Sequence, residues 1–362
     1  VLKILTIIGA RPQFIKAATV SRLLHDNKYS EIDEVMVHTG QHYDHNMSQS
    51  FFNELNMPAP DYNLEVGSGT HGQQTGAIMS SLEKVVELEN PDWMLVYGDT
   101  NSTLAAALVA AKKPCQLAHV EAGLRSYRRG MPEEVNRIVT DRLSDLLFCP
   151  TILAKKNLIT EGRNNNVFET GDVMYDSFLY YNKEINHASV MHKYNLLSSK
   201  YLLVTIHRAE NTDDKRKLSI ILDALRYISK KVKVVLPLHP RTRKMVEQFS
   251  ISLDGITVIE PVPYLTMIAF LSNAKAVVTD SGGLQKEAYF AKIPCLTIRD
   301  ETEWVETLES EWNQLVSLND ESDIIENLDR VLNLDYSNLQ YHNHYGLGNA
   351  AKIIVDTIMD SE

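Results

Sequence analysis

The feature that most constrains this chain is a unit repeated along its length: a short run rich in Val, Ile and Leu, a glycine-bearing or polar turn, then a helix-forming segment. Lys3–Gly9, Glu34–Thr39, Trp93–Tyr97, Gln116–Val120 and Asp145–Cys149 make a first series, with helices expected between them at Gln13–His25, Thr103–Ala111 and Glu134–Leu143, among others. A second series follows at Tyr201–Ile206, Val232–Leu238, Thr257–Ile259, Ala276–Thr279 and Cys295–Ile298. The runs show little apolar–polar alternation, as expected of strands in a parallel sheet covered by helices on both faces. Strands alternating with helices predict a doubly wound α/β fold, and the two series predict two domains. A length of 362 residues suffices for two cores. The polar stretch Tyr180–Lys200 shows no strand pattern and no strong helix, so it is expected to join the domains. Ligands of open α/β sheets bind beyond the C-terminal strand ends, so the residues just after each strand are the candidates, lining a cleft between the domains.

Charge and composition narrow the ligand. The formal net charge is −11, which argues against a general nucleic-acid or anionic-membrane surface. An anionic ligand would therefore need local Arg and Lys. Cys115, Cys149 and Cys295 are far apart in strand-like runs and read as buried free thiols of a reducing compartment. No apolar run approaches the length of a membrane span, and the first strand begins without a signal-peptide pattern, so the cytoplasm is the expected location. His38, His42 and His45, with Asp44 nearby, and the pair His342 and His344 match no metal-ligand spacing, and no metal is expected. There is no G-x-G-x-x-G after the first strand and no G-x-x-x-x-G-K-[ST] anywhere, which disfavours dinucleotide binding and P-loop phosphoryl transfer.

The turns themselves carry the chemistry. In Val277-Val278-Thr279-Asp280-Ser281-Gly282-Gly283-Leu284-Gln285-Lys286-Glu287 a strand runs through a Ser-Gly-Gly turn into a helix start. Glycines admit close approach and a helix N-terminus offers unpaired N–H groups, so the segment suits a nucleotide diphosphate, with Glu287 placed for a ribose hydroxyl. After the first strand, Gly9-Ala10-Arg11-Pro12-Gln13 sets Arg11 and Lys16 one helical turn apart, either for a phosphate or as an ordinary strand–helix turn. Asp99 in Tyr97-Gly98-Asp99-Thr100-Asn101-Ser102 reads as a helix cap or, if Thr100 or Ser102 caps, as a carboxylate available for chemistry. Glu121 ends the strand of His119-Val120-Glu121-Ala122-Gly123-Leu124-Arg125. Glu133 and Arg137 share a helix face; the bland account is an exposed i,i+4 pair worth about 0.2–0.5 kcal/mol. Asp99, Glu121 and Glu133 in one domain make acid–base candidates. His207 and Arg208 end the first strand of the second series and are expected at its ligand edge.

Taken in order, Gly-Ala-Arg-Pro-Gln-Phe-Ile-Lys, Tyr-Gly-Asp-Thr, His-Val-Glu-Ala-Gly-Leu-Arg, Pro-Glu-Glu-x-Asn-Arg, Thr-x-His-Arg-x-Glu-Asn, Pro-Leu-His-Pro-Arg and Asp-Ser-Gly-Gly-x-Gln-x-Glu form a set that resembles the non-hydrolysing UDP-N-acetylglucosamine 2-epimerases. The resemblance runs from about Lys3 to the C-terminus. It implies a GT-B-like α/β fold, two Rossmann-like domains with parallel sheets facing a central cleft: residues 1–178 with the catalytic carboxylates, 179–345 binding UDP, and a helix in 346–362 crossing back to the first domain. It implies a UDP-activated amino sugar as ligand, a homodimer, no cofactor and no metal. Carried over by position, Arg11, Ser281, Gly282 and Gly283 hold the diphosphate, Glu287 the ribose, and Arg208 and His239 the nucleotide side. Lys16, Asp99, Glu121, Glu133, Arg137 and His207 fall on active-site positions.

That chemistry is consistent with the residues. The C2 proton of a UDP-sugar has no adjacent carbonyl, so without a redox cofactor the anomeric C–O bond must break first. UDP leaves, a glycal forms, and protonation on the other face with return of UDP gives the epimer. Two departures from the family pattern stand out: Gln13, where many members have Glu, and Thr302-Glu303-Trp304-Val305-Glu306, where many have Thr-Glu-Arg-Pro-Glu. Both resemble the branch acting on UDP-2,3-diacetamido-2,3-dideoxyglucuronic acid, whose extra carboxylate Arg125, Arg128 or Arg129 could receive. Plain UDP-GlcNAc is the first expectation. The family's second, activating site depends on a segment containing Gln and Arg, and Gln73-Gln74 lacks the Arg. Rival readings are a GT-B glycosyltransferase, a hydrolysing epimerase and a nucleotide-sugar sensor.

Overall fold

The computed structural model describes residues 1–41, 51–128, 130–309, 311–318, 321–336 and 339–361. The chain divides into two compact units, Val1–Leu179 with Asn343–Glu362, and Tyr180–His342.

The described residues of the first unit form a seven-stranded sheet from β1 (Leu2–Ile8), β2 (Ile32–His38), β3 (Tyr62–Asn63), β4 (Trp93–Tyr97), β5 (Gln116–Val120), β6 (Leu146–Cys149) and β7 (Val167–Glu169), in the order β3-β2-β1-β4-β5-β6-β7. Every pairing is parallel. The chain order reverses between β1 and β4, which sets the turn after Ile8 beside the turn after Tyr97 at a topological switch point. Leu5, Ile7, Val35, Val37, Met94 and Val96 pack on one face against Leu82, Val85 and Val86 of helix His71–Glu89 and the alanines of helix Asn101–Ala110. That alanine-rich helix is apolar on all sides because it is buried, and its small side chains allow close packing.

The second unit repeats the plan. Among its described residues a parallel six-stranded sheet forms from β8 (Tyr201–Thr205), β9 (Lys233–Pro237), β10 (Ile256–Ile259), β11 (Ala276–Thr279), β12 (Cys295–Thr297) and β13 (Asn313–Leu315), in the order β10-β9-β8-β11-β12-β13. The reversal here lies between β8 and β11, so the turns carrying His207 and Ser281 are neighbours.

The expectation for Tyr180–Lys200 is corrected. Helix Val173–Glu184 runs into this stretch and a second helix, His187–Lys193, follows, started by Asn186 Oδ1 accepting from Ser189 N at 3.0 Å. Tyr181, Met191 and Leu196 are its widely spaced buried anchors, too sparse to give a helical period. Residues 343–362 close the first unit. A Cβ on Gly171 (φ +83°) would lie 2.7 Å from Tyr345 O, Asp172 N donates to that same oxygen at 3.0 Å, and Asp176 Oδ2 accepts from Ala351 N at 2.8 Å. Helix Ala350–Met359 then packs on helix Arg11–Leu24, burying Ala351, Ile354, Val355 and Ile358. No helix of the described residues is long and apolar enough to cross a membrane.

Candidate active site

In the first unit, three turns converge. A Cβ on Gly9 would meet Thr39 Oγ1 at 2.2 Å and Ser102 Oγ at 2.3 Å, so only glycine fits. Gln13 staples the first turn to the end of β4: its Oε1 accepts from Gly9 N at 2.8 Å and Ala10 N at 3.0 Å, while its Nε2 donates to Tyr97 O at 2.8 Å and Thr103 Oγ1 at 3.0 Å. The departure noted at Gln13 thus has a structural reason, since a carboxylate could not donate to Tyr97 O. Thr100 caps helix Asn101–Ala110, which leaves Asp99 for other contacts.

Two ion pairs stand side by side. Lys16 Nζ donates to Glu121 Oε1 at 2.5 Å, with both side chains 7% exposed. Arg137 Nη2 donates to Asp99 Oδ2 at 2.6 Å, and Asp99 keeps 31% of its side chain exposed, so it can be reached from outside. Gly98 (φ +64°) separates them; a Cβ there would lie 3.2 Å from Lys16 Nζ and 3.4 Å from Glu121 Oε1. Burial raises the proton affinity of Asp99, Arg137 opposes that rise, the Glu121 charge adds to it and Lys16 lowers it. Glu121 itself sits at φ +72°, a conformation costly for a residue with a side chain, held because Glu121 N and Ala122 N both donate to Phe148 O.

A buried network supports this turn. Asp141 lies 2.8 Å from His119 Nδ1 and accepts from Gly123 N at 3.2 Å and Arg125 Nη1 at 2.7 Å, while His119 Nε2 lies 2.8 Å from Gly98 O. Arg125 also donates from Nε and Nη2 to Glu161, each at 2.7 Å. The expectation that Arg125 could receive a substrate carboxylate is therefore corrected: its side chain is 1% exposed and committed to Asp141 and Glu161. Arg128 is exposed, while Arg129, His42, Asp44 and His45 lie outside the described residues. The i,i+4 pairing of Glu133 with Arg137 is also corrected. Arg137 Nη1 pairs with Glu134 Oε2 at 3.0 Å, and Glu134 further accepts from Ser126 N and Tyr127 N. Glu133 is half-buried on the first turn of helix Pro132–Leu143, and its side chain makes no hydrogen bond or ion pair with the described residues. Glu134 was missed, although its i,i+3 spacing to Arg137 was a signal equal to that of Glu133.

In the second unit, Asp280 is fully buried and organises the turn after β8. It accepts from His207 N at 3.0 Å, Arg208 N at 2.9 Å and Asn211 Nδ2 at 3.2 Å, and His207 Nδ1 lies 3.4 Å from its Oδ1. Ser281 caps helix Gly282–Phe290, its Oγ accepting from Leu284 N at 3.4 Å, and Gly283 is exposed at the amide-bearing end. Glu287, one turn in, accepts from Tyr264 Oη at 2.9 Å. His239 caps helix Pro240–Phe249 through Nδ1 and its ring lies 5.5 Å from that of His207. Arg11 is exposed in the first unit, its guanidinium 5.6 Å from the Phe51 ring centroid. The first unit thus brings together Lys16, Asp99, Glu121 and Arg137, and the second brings together His207, Arg208, His239, Ser281, Gly282, Gly283 and Glu287. Among the described residues no group of three or more His, Cys, Asp or Glu is arranged to hold a metal ion.

Two doubly wound parallel units, each with its polar groups at the strand-order reversal, define a GT-B-like α/β protein. The sequence profile of the UDP-N-acetylglucosamine 2-epimerases matches residues 25–359, and the chain belongs to that family. It is 50% identical over 319 residues to the UDP-2,3-diacetamido-2,3-dideoxy-D-glucuronate 2-epimerase of Pseudomonas aeruginosa, covering 87% of this chain and 88% of that protein. It is 47% identical over 364 residues to a UDP-N-acetylglucosamine 2-epimerase homolog of Methanococcus maripaludis, covering 99% of each. The crystal structure of Methanocaldococcus jannaschii UDP-GlcNAc 2-epimerase in complex with UDP-GlcNAc and UDP superposes with a TM-score of 0.88 at 41% identity, covering 99% of this chain and 100% of that one.

Proposed function

We propose that this chain is a non-hydrolysing nucleotide-sugar 2-epimerase that interconverts UDP-GlcNAc and UDP-ManNAc. The observation that carries the reading is the pair of adjacent ion pairs, Lys16–Glu121 and Arg137–Asp99, with the proton affinity of Asp99 raised by burial. Two carboxylates in unlike surroundings suit a reaction that takes a proton from one face of a sugar and returns one to the other. The second unit supplies the leaving-group site: the Ser281 turn, the amides at Gly282 and Gly283, and His207 for the diphosphate, with Glu287 for the ribose. Arg11 adds a cation. The C1–O bond breaks with its electron pair leaving on UDP, the C2 proton passes to a carboxylate, and a C1=C2 glycal forms. A proton then adds to C2 from the opposite face and the UDP oxygen re-forms the bond at C1. Positioned acid–base groups contribute about 10²–10⁴-fold, and the preorganised phosphate site the larger share. Lys16 and Arg137 position the two carboxylates, and Glu133 remains a candidate for the proton relay. A homodimer in the cytoplasm, without metal or redox cofactor, completes the proposal.

The test is incubation with UDP-GlcNAc alone in deuterated water. Deuterium at C2 and UDP-ManNAc formed without an acceptor support the epimerase. UDP-GlcNAc and the diacetamido-uronate analogue both left unchanged would favour a transferase or a sensor, and free UDP accumulating with turnover would favour a hydrolysing enzyme. A second reading, a 2-epimerase of UDP-2,3-diacetamido-2,3-dideoxyglucuronic acid for surface polysaccharide, is favoured by buried Trp304 in place of the more usual Arg and by the similarity to the P. aeruginosa protein. The ratio of kcat/KM for the two sugars, read from the same exchange assay, decides between them.

A further inference from the structure

The N-terminus of helix Gly282–Phe290 faces a carboxylate of the chain itself. A Cβ on Gly282 would lie 2.6 Å from Glu303 Oε1 and 3.6 Å from Arg299 Nη1. Glu303 Oε2 in turn forms an ion pair with Arg299 Nη2 at 3.0 Å. The Arg299 side chain is only 10% exposed, and its Nη1 is buried with no hydrogen-bond partner among the described residues. A buried guanidinium nitrogen has strong donor capacity, and here it is aimed at the one helix end whose capping turn is Ser-Gly-Gly. Helix N-termini and guanidinium forks both select oxyanions, and phosphate, with three oxygens per group, can satisfy both together.

We propose that Arg299 is a further diphosphate ligand and that Glu303 is its exchangeable stand-in. The Glu303 carboxylate occupies the anion position over Gly282, and the diphosphate of the nucleotide takes that position and the Arg299 fork with it. The exchange needs only a rotamer change at Glu303, because the residues beside it are pinned. Thr302 Oγ1 donates to Gln285 Oε1 at 2.8 Å, and Trp304 is buried with the Lys286 ammonium 3.8 Å from its ring centroid. Asp280, the other carboxylate at this turn, cannot serve as the stand-in, since backbone and Asn211 donors already saturate it. The proposal rests on the reading of this unit as the nucleotide site.

Calorimetric titration of the full chain with UDP and with uridine, which lacks phosphate, tests it. Arg299→Met is expected to weaken UDP about 10- to 100-fold, the worth of a charge-assisted hydrogen bond, and to leave uridine unchanged. Glu303→Gln is expected to bind UDP at least as tightly as the parent, since the competing charge is gone. Arg299→Lys, which keeps the charge without the fork, serves if the Met variant misfolds, and its loss should be smaller and again confined to UDP. Unchanged UDP affinity in the Arg299 variants, an equal loss for uridine, or a Glu303→Gln loss matching that of Arg299→Met would each overturn the proposal. Failure of the parent chain to bind UDP at all would instead remove the nucleotide-site reading beneath it.

Discussion

Replacing Arg125 by Met should destabilise the first unit and not alter sugar choice. Four hydrogen bonds of 2.7 Å leave this guanidinium: to Asp141, to Leu124 O and two to Glu161. Burial works against its charge, but Glu161 and Asp141 more than compensate and hold it above the ordinary guanidinium range. The two partners are not equal. Glu161 is 38% exposed, so solvent screens it and its share is about 0–1 kcal/mol. Asp141 is 2% exposed, and stripping one partner from a buried pair costs about 3–5 kcal/mol. Asp141 would keep His119 and Gly123 N, which places the loss toward the lower end of that range. Trp93, the sole tryptophan of the first unit, reports this unfolding in urea once Trp304 and Trp312 are replaced by Phe. The midpoint should fall with the slope unchanged, and a double-mutant cycle should show stronger coupling of Arg125 to Asp141 than to Glu161. A loss under about 1 kcal/mol, joined to selective loss of a uronate substrate, would refute the structural assignment.

The other predictions concern charge, backbone and chemistry. Burial lifts the Asp176 carboxyl to about 6, partly offset by N–H donation from Ala351 and Ala350. Its folded value exceeds the unfolded one, so the folded state binds more protons between pH 4 and 6 and stability falls as pH rises through that window; Asp176→Asn should remove the fall and be more stable at pH 8 by about 2 kcal/mol in urea titrations. Gly171→Ala forces a Cβ onto Tyr345 O at positive φ and should cost about 2–4 kcal/mol, seen as a lower melting temperature and faster proteolysis within residues 343–362. Glu121→Gln should slow deuterium exchange at C2 about 10²–10⁴-fold while UDP affinity holds; retained exchange would remove Glu121 from the chemistry. Arg137 lowers the proton affinity of Asp99, so Arg137→Gln should move the acidic limb of the kcat profile to higher pH.

Much of the fold could be read because parallel strands announce themselves: both faces are buried, so Trp93–Tyr97 is apolar throughout, and Leu2–Ile8 and Ala276–Thr279 are apolar but for Lys3, Thr6 and Thr279. The edge strands Tyr62–Asn63, Val167–Glu169 and Asn313–Leu315 are too short to carry a period, and they were not foreseen. Turn positions were legible for the same reason as strands, since Gly9, Gly98 and Ser281 directly follow or cap regular elements. Partner choice was not. Whether Arg137 meets Glu133, Glu134 or Asp99, and whether Arg125 faces solvent or Asp141, depends on side chains brought together by sheet order, as with the 38-residue separation of Asp99 and Arg137. Gln13 shows the limit well: its spacing from Gly9 was visible, but its grip on Tyr97 O, 84 residues away, was not.

The first unit is built from both ends of the described chain, with the whole of Tyr180–His342 inserted between them. A ribosome therefore delivers the second unit as one continuous stretch, complete, while the first still lacks helix Ala350–Met359 and the Tyr29 Oη to Asp356 bond at 2.8 Å. During synthesis the pieces that arrange Lys16 and Glu121 emerge early, but the helix that covers the back of Arg11–Leu24 emerges only after the whole of the second unit. Quality control acting on the nascent chain would meet an unfinished first unit until helix Ala350–Met359 has emerged.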